Sequence, residues 1–345
     1  MNTLSSRAKI FAILVLLLTT SACGASTQAP LPTASPAPTS APSGAVESTA
    51  TGASPSDPAP TEFFPFPTSD ATIPTPSATL LDVTYCTMDS VPLKMDLYFP
   101  PQNGSPAPVL MYVHGGGWTS GDRKEVHGMK DLGLFTEAGF IVAAVDYRLA
   151  PQYHFPAMIE DVKCAVRYLR AHAKEYNLDP DRIAAWGLSA GGHLVALLGL
   201  ADESAGWDVG EYLDQSSRVQ AVVDMFGLVD LTVLNPDSEL MQMLFGAPNV
   251  DAADLKSASA VTYISANDPP FLIIHGERDW VVAPEQSVRF DAQLDAADVP
   301  SQLVLVKNAG HGFVAMGKPL EPTVPQILEM MLNFLKQRLG LIPGS

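Results

Sequence analysis

An apolar, strand-like segment from Arg182 to Trp186 runs into Gly187-Leu188-Ser189-Ala190-Gly191-Gly192, and an apolar, helix-like segment from His193 to Leu200 runs out. A Gly-x-Ser-x-Gly run in that position puts the serine on a sharp turn between strand and helix. The glycines remove side chains that would collide there, and the hydroxyl is pushed out at the strand end. A turn of this kind needs a mostly parallel sheet around it. The rest of the chain has that rhythm, apolar strands alternating with helix-length segments.

A serine hydroxyl is a poor nucleophile unless a base lies within hydrogen-bond reach and a third group orients the base. On a strand–turn–helix scaffold the chain order is serine, acid, histidine. The strand Phe271–His275 is followed by Gly276-Glu277-Arg278-Asp279, and the strand Gln302–Val306 by Asn308-Ala309-Gly310-His311-Gly312-Phe313. Both polar groups fall just past the C-terminal ends of strands, where open α/β sheets place their sites. Asp279 is therefore assigned as the acid and His311 as the base. Asp268, Glu277 and Asp224 are the competing acids. Asp268 precedes its strand, Glu277 reads as a salt-bridge or capping residue, and Asp224 follows the strand Val219–Val223, one strand early. Of the seven histidines, His311 alone lies between glycines after the last strand. His275 ends a buried strand and is expected to be packed and hydrogen-bonded. His193 opens the helix behind Ser189.

The strand Val109–Val113 leads directly into His114-Gly115-Gly116-Gly117-Trp118. Consecutive glycines let backbone N–H groups approach a substrate oxygen closely. Gly116, Gly117 and the N–H of Ala190 are the candidate oxyanion donors. His114 is expected to pin this loop. Trp118, Tyr147, Phe226 and Phe313 are each a candidate pocket wall or ordinary core packing.

Taken together, His114-Gly115-Gly116-Gly117, Asp146-Tyr147-Arg148-Leu149-Ala150-Pro151, the serine turn, Asp279 and His311 resemble the hormone-sensitive-lipase-like branch of the α/β-hydrolase superfamily. Tyr153-His154-Phe155-Pro156-Ala157 with Glu160-Asp161 and Asp179–Ile183 is similar to its bacterial feruloyl/acetyl-esterase-like subgroup. The resemblance covers about residues 80 to 340. It implies an α/β-hydrolase fold, a mostly parallel doubly wound sheet flanked by helices. It also implies a cofactor-independent carboxylic-ester hydrolase acting on short-chain, acetyl or feruloyl esters, free or attached to a polysaccharide. A serine peptidase of the prolyl-oligopeptidase-like branch and a non-catalytic binding module of the same fold are the alternatives. The intact glycine loop favours the first over the peptidase, and the complete set of serine, acid and histidine disfavours the second.

Residues 1–22 read as a secretory signal: Arg7 and Lys9, then the apolar run Ile10–Leu18, then small residues before Cys23. Cys23 is the expected site of a lipid anchor, which makes the membrane surface a partner and the cell envelope of a bacterium, outside the cytoplasm, the location. Residues 23–79 are rich in Pro, Ser, Thr and Ala with almost no charge, and read as a disordered tether. Phe63, Phe64 and Phe66 interrupt it. The domain is expected over 80–341. In an oxidising compartment Cys86 and Cys164 either pair or remain two buried thiols. A net charge of −17 argues against nucleic acid as a partner. No His/Cys/carboxylate cluster has zinc-like spacing, so no metal is expected. A helix around Ser238–Leu244, within the long stretch 201–267, suggests a small lid-like insertion.

Overall fold

The central strands are apolar on both faces, as buried parallel strands must be when helices cover both sides. In a computed structural model, which describes residues 77–101, 104–128 and 132–342, they form an eight-stranded sheet of order β1-β2-β4-β3-β5-β6-β7-β8. The strands are β1 Ala78–Met88, β2 Val91–Phe99, β3 Ala107–Val113, β4 Ile141–Val145, β5 Leu178–Leu188, β6 Ala221–Met225, β7 Phe271–Gly276 and β8 Ser301–Val306. β1 and β2 form an antiparallel hairpin, β2 runs antiparallel to β4, and every other pairing is parallel. The expected leader, Cys23 and the three phenylalanines of the tether lie outside the described residues.

The helices are α1 Leu132–Glu137, α2 Ala157–Ala171, α3 Ala173–Tyr176, α4 Ala190–Leu200, α5 Glu239–Phe245, α6 Ala252–Ser257, α7 Glu285–Ala296 and α8 Val324–Arg338. Side chains alternate along the strands between two cores. Val109, Met111 and Val113 of β3 join one core, with residues of α2, α4 and α7. Leu110 and Tyr112 join the other, with Phe135 of α1 and Met331 and Leu335 of α8. This is the period-two geometry of a strand read out on both faces.

The sheet order brings the site together. From β3 the chain goes to β4 on one side and returns to β5 on the other, so β3 and β5 are neighbours with Val113 opposite Gly187. The loops after these two strands therefore meet at the switch point of the sheet. β7 and β8 lie two and three strands further along. The loop after β8 crosses back over the end of β7, where Ala309 O accepts from Arg278 N at 2.9 Å and Val306 O from Glu277 N at 2.9 Å.

Two buried arginines tie the hairpin and the β4 loop to this frame. Arg123 bridges Asp82, Asp96 and Asp146. Arg148 bridges Asp89, Glu160 and Asp161. Cys86 of β1 and Cys164 of α2 are bonded, with Cα atoms 6.5 Å apart, across a separation of 78 residues.

One strand differs from expectation. β6 runs Ala221–Met225 rather than Val219–Val223, because Asp224 is buried within the strand instead of ending it. Helix α2 ends at Ala171, where His172 turns out of helical geometry and stacks on Tyr168. The lid-like insertion contains α5 and α6 and follows β6. Ser238 caps α5 by accepting from Met241 N, and Gly246 ends it with φ +66°.

Candidate active site

Ser189 occupies the turn between β5 and α4 with φ 52° and ψ −115°. For a residue with a side chain this left-handed geometry costs on the order of 1–3 kcal/mol, and the surroundings must over-determine it. They do so by close approach. A Cβ on Gly187 would lie 2.2 Å from Gly191 O, and one on Gly191 would lie 2.2 Å from Val113 O. Ser189 N donates to Met225 O at 2.9 Å, and Ser189 O accepts from His193 N at 3.0 Å. The backbone on both sides of the hydroxyl is thereby fixed.

Ser189 Oγ lies 3.2 Å from His311 Nε2, and His311 Nδ1 lies 2.7 Å from Asp279 Oδ2. The carboxylate accepts, so Nδ1 carries the hydrogen and Nε2 is left to accept from the serine. The other carboxylate oxygen, Oδ1, accepts from Val281 N at 2.8 Å and Val282 N at 2.9 Å. Burial pushes the Asp279 carboxyl up, but hydrogen bonds from His275 and His311 outweigh it and hold Asp279 well below the ordinary carboxylate range. All three side chains are buried.

Among the competing acids, Asp268 is engaged by Ser265 and Glu277 is exposed. Asp224 is fully buried beneath the serine turn, where its Oδ1 accepts from Gly227 N at 3.0 Å and its Oδ2 has no hydrogen bond. Burial pushes its carboxyl up to about 6.

His275 does more than pack. Its Nε2–H donates to Val282 O at 3.0 Å, its Nδ1 accepts from the Ser287 hydroxyl at 2.7 Å, and Nε2 lies 3.4 Å from Asp279 Oδ2. Asp279 is thus flanked by two imidazoles. The only sequence signal for this is the spacing of four residues, which says nothing until the turn between them is known.

The glycine loop after β3 is braced from below. Gly116 has φ +97°, and its carbonyl accepts from Thr119 N and Ser120 N, both at 3.1 Å. A Cβ there would lie 2.2 Å from Ser120 O. His114 Nδ1–H donates to Gly115 O at 2.9 Å, its ring stacks on Tyr147 at 4.2 Å, and Tyr147 OH donates to His114 O at 3.1 Å. Ala190, the first residue of α4, carries one of the N–H groups that a helix leaves without an internal partner. Leu240 of α5 covers this loop: its Cδ1 lies 3.4 Å from where a Gly117 Cβ would be.

The four aromatic candidates, Trp118, Tyr147, Phe226 and Phe313, are all buried. Tyr147 holds the glycine loop after β3. Trp118 Nε1–H donates to His193 Nδ1 at 3.2 Å, and His193 Nε2–H donates to Ala258 O at 2.7 Å. One imidazole therefore joins the glycine loop, α4 and the insertion. Burial lowers His193 to about 4 and keeps it neutral. Phe226 meets His311 edge-on at 4.8 Å and Phe313 at 5.2 Å, a wedge behind the histidine.

A family model described as BD-FAE matches residues 95–294. The probable carboxylic ester hydrolase LipM of Mycobacterium tuberculosis is 37% identical over 251 residues, which are 69% of this chain and 57% of that protein. The ethyl acetate hydrolase of Pseudomonas putida is 30% identical over 272 residues, covering 75% and 82%. The chain spans somewhat over half the length of LipM, LipC and LipQ of M. tuberculosis, at 57%, 53% and 59%. Among solved structures, a truncated carbohydrate esterase from gut microbiota superposes with TM-score 0.69 at 28% identity, over 77% of this chain and 98% of that one. The butyrate-bound Est2 esterase of Thermogutta terrifontis does so with TM-score 0.63 at 26% identity, over 76% and 95%. With the sheet order and the glycine-fitted serine turn, these matches establish that the chain belongs to the BD-FAE family and has the α/β-hydrolase fold.

Proposed function

We propose that this chain is a serine carboxylic-ester hydrolase whose nucleophile, base and orienting acid are Ser189, His311 and Asp279. The observation that carries the reading is the relay from Ser189 Oγ to His311 Nε2 at 3.2 Å and from Nδ1 to Asp279 at 2.7 Å. Ser189 Oγ attacks the ester carbonyl while its proton passes to His311 Nε2. The oxyanion takes hydrogen bonds from the amides of Gly116, Gly117 and Ala190. The C–O bond to the alcohol breaks, and His311 returns the proton to the departing oxygen. Water then repeats the sequence on the acyl-serine, giving the acid and free Ser189.

The esterase names borne by LipM, the ethyl acetate hydrolase and the two solved neighbours support this reaction class. The expected substrates are short-chain, acetyl or feruloyl esters, free or on a polysaccharide. The Cys86–Cys164 bond supports a location outside the cytoplasm. There a lipid on Cys23 would hold the domain at the membrane through its tether. Growth with an alkyne-tagged fatty acid should label the wild type and not Cys23→Ser; an unlabelled wild type overturns the anchor.

The test of the reaction is Ser189→Ala assayed with p-nitrophenyl acetate beside an aminoacyl anilide. Ester cleavage should fall by about 10⁴–10⁶ while the circular dichroism spectrum stays unchanged. Retention of most activity, or preferential cleavage of the anilide by the wild type, contradicts the reading.

A further inference from the structure

Resting on the esterase reading above, we propose that Trp280 is the platform of the leaving-group subsite and selects esters of apolar, ring-bearing alcohols. His311 must reach the oxygen of the departing alcohol in order to protonate it, so the rest of that alcohol leaves along the surface around His311. Trp280 is the residue after Asp279 and is 64% exposed. Its indole is seated on the residue before His311: a Cβ on Gly310 would lie 2.2 Å from Trp280 Cζ3. Glycine at 310 is what lets the ring come this close to the base.

Two exposed valines stand beside Trp280 and His311 in the same two loops. Val314 is 48% exposed and closes the turn around His311, its carbonyl accepting from Gly310 N at 2.8 Å. Val281 is 54% exposed and leads into a cleft of about 260 Å³ whose wall mixes Val233, Leu234 and Val282 with the polar side chains of Asp230, Glu285 and Arg289. An exposed tryptophan among valines beside a catalytic base is costly to leave facing water, and a ring laid on it recovers that cost. A sugar ring could stack in the same way, but each of its hydroxyls needs a partner. Arg278, the nearest basic residue in this loop, is turned toward Met316 O at 3.4 Å, and Trp280, Val281 and Val314 present only apolar side-chain surface apart from the indole N–H. The chemistry therefore favours an apolar ring.

The test compares benzyl acetate with ethyl acetate, which share an acyl group and differ by a ring on the alcohol. Wild type should favour benzyl acetate in kcat/KM. Trp280→Ala should reduce the benzyl-to-ethyl ratio by about three- to tenfold, and Trp280→Phe should keep most of it. Inhibition by benzyl alcohol should weaken in parallel in Trp280→Ala. The side chain is exposed, so its removal opens no cavity, and thermal melting checks the fold. An unchanged ratio with both esters still hydrolysed overturns the subsite while leaving the esterase reading intact. So does a loss confined to 6-O-acetylglucose. Failure of the wild type to hydrolyse any of the three esters overturns both.

Discussion

Ser189, Gly191 and Gly116 stand where a single extra carbon would collide with backbone at 2.2 Å or where the backbone angle itself is unfavourable. A few residues away, Trp280, Val281 and Val314 stand 64%, 54% and 48% exposed, with room to change. The first set makes the floor of the site and the second its rim. The floor is held by backbone from the ends of β3 and β6 and from its own loops, and tolerates one arrangement of atoms. The rim is held by two loops. On the proposed reading, such a division would let the reaction stay fixed while the choice of ester varies with the rim.

Replacements in the floor should then be severe and specific to chemistry. Asp279→Asn keeps the shape but loses the charge that orients His311, and kcat should fall by about 10⁴. Asp224→Asn, in the other buried acid, should leave kcat within a few-fold. Its stability effect has a defined sign. Burial raises the Asp224 carboxyl from 3.8 to about 6, so the fold bears an unfavourable charge above that pH. The asparagine should therefore stabilise the protein above pH 6 by up to about 3 kcal/mol, with the gain fading as pH falls toward 4. Urea titrations at pH 8 and pH 4.5 measure it. If Asp224→Asn abolished turnover and Asp279→Asn did not, the acid would be misassigned.

Gly116→Ala comes next. Its Cβ must displace Ser120 O and adopt φ +97°, which should turn the loop amide off the oxyanion and lower kcat by about 10²–10³ with a smaller change in KM. An equal loss in binding and turnover would mean that the loop only shapes the pocket.

The brace beneath the loop should show itself in pH dependence. His193 is held neutral by burial, with its value lowered from 6.5 to about 4. Between those values the unfolded chain takes up a proton that the folded one refuses. Stability should therefore drop by about 3 kcal/mol as pH falls from 6.5 to 4. A His193→Gln variant should lack that part of the slope in urea unfolding; an identical slope would remove His193 from the account. The rim substitution Trp280→Ala is the mildest, a change of substrate ratio.

The floor was legible in the sequence for the same reason that it is rigid. Glycines flanking Ser189, a glycine run after β3 and polar residues just past β7 and β8 are steric and topological requirements, and such requirements leave residue types behind. The sheet was legible because strands buried on both faces must be continuously apolar. Asp224 broke that pattern, since a buried carboxylate inside β6 reads as a strand end. Trp118 and Tyr147 were not placed because their partners, His193 and the His114–Gly115 carbonyls, are distant in the chain or depend on loop conformation. Trp280 left no signal. Its position after the acid is evident, but the direction of its ring depends on Gly310, thirty residues away in a different loop.

The central claim is that Ser189, activated through His311 and Asp279, becomes covalently acylated. Its most direct test is reaction of the intact protein with a fluorophosphonate, followed by peptide mass mapping. The account predicts one stoichiometric adduct on Ser189, formed in step with loss of esterase activity and abolished in Ser189→Ala. It predicts a rate of adduct formation that falls with His311→Ala. An adduct on any other residue, or full inhibition with Ser189 unmodified, would contradict it.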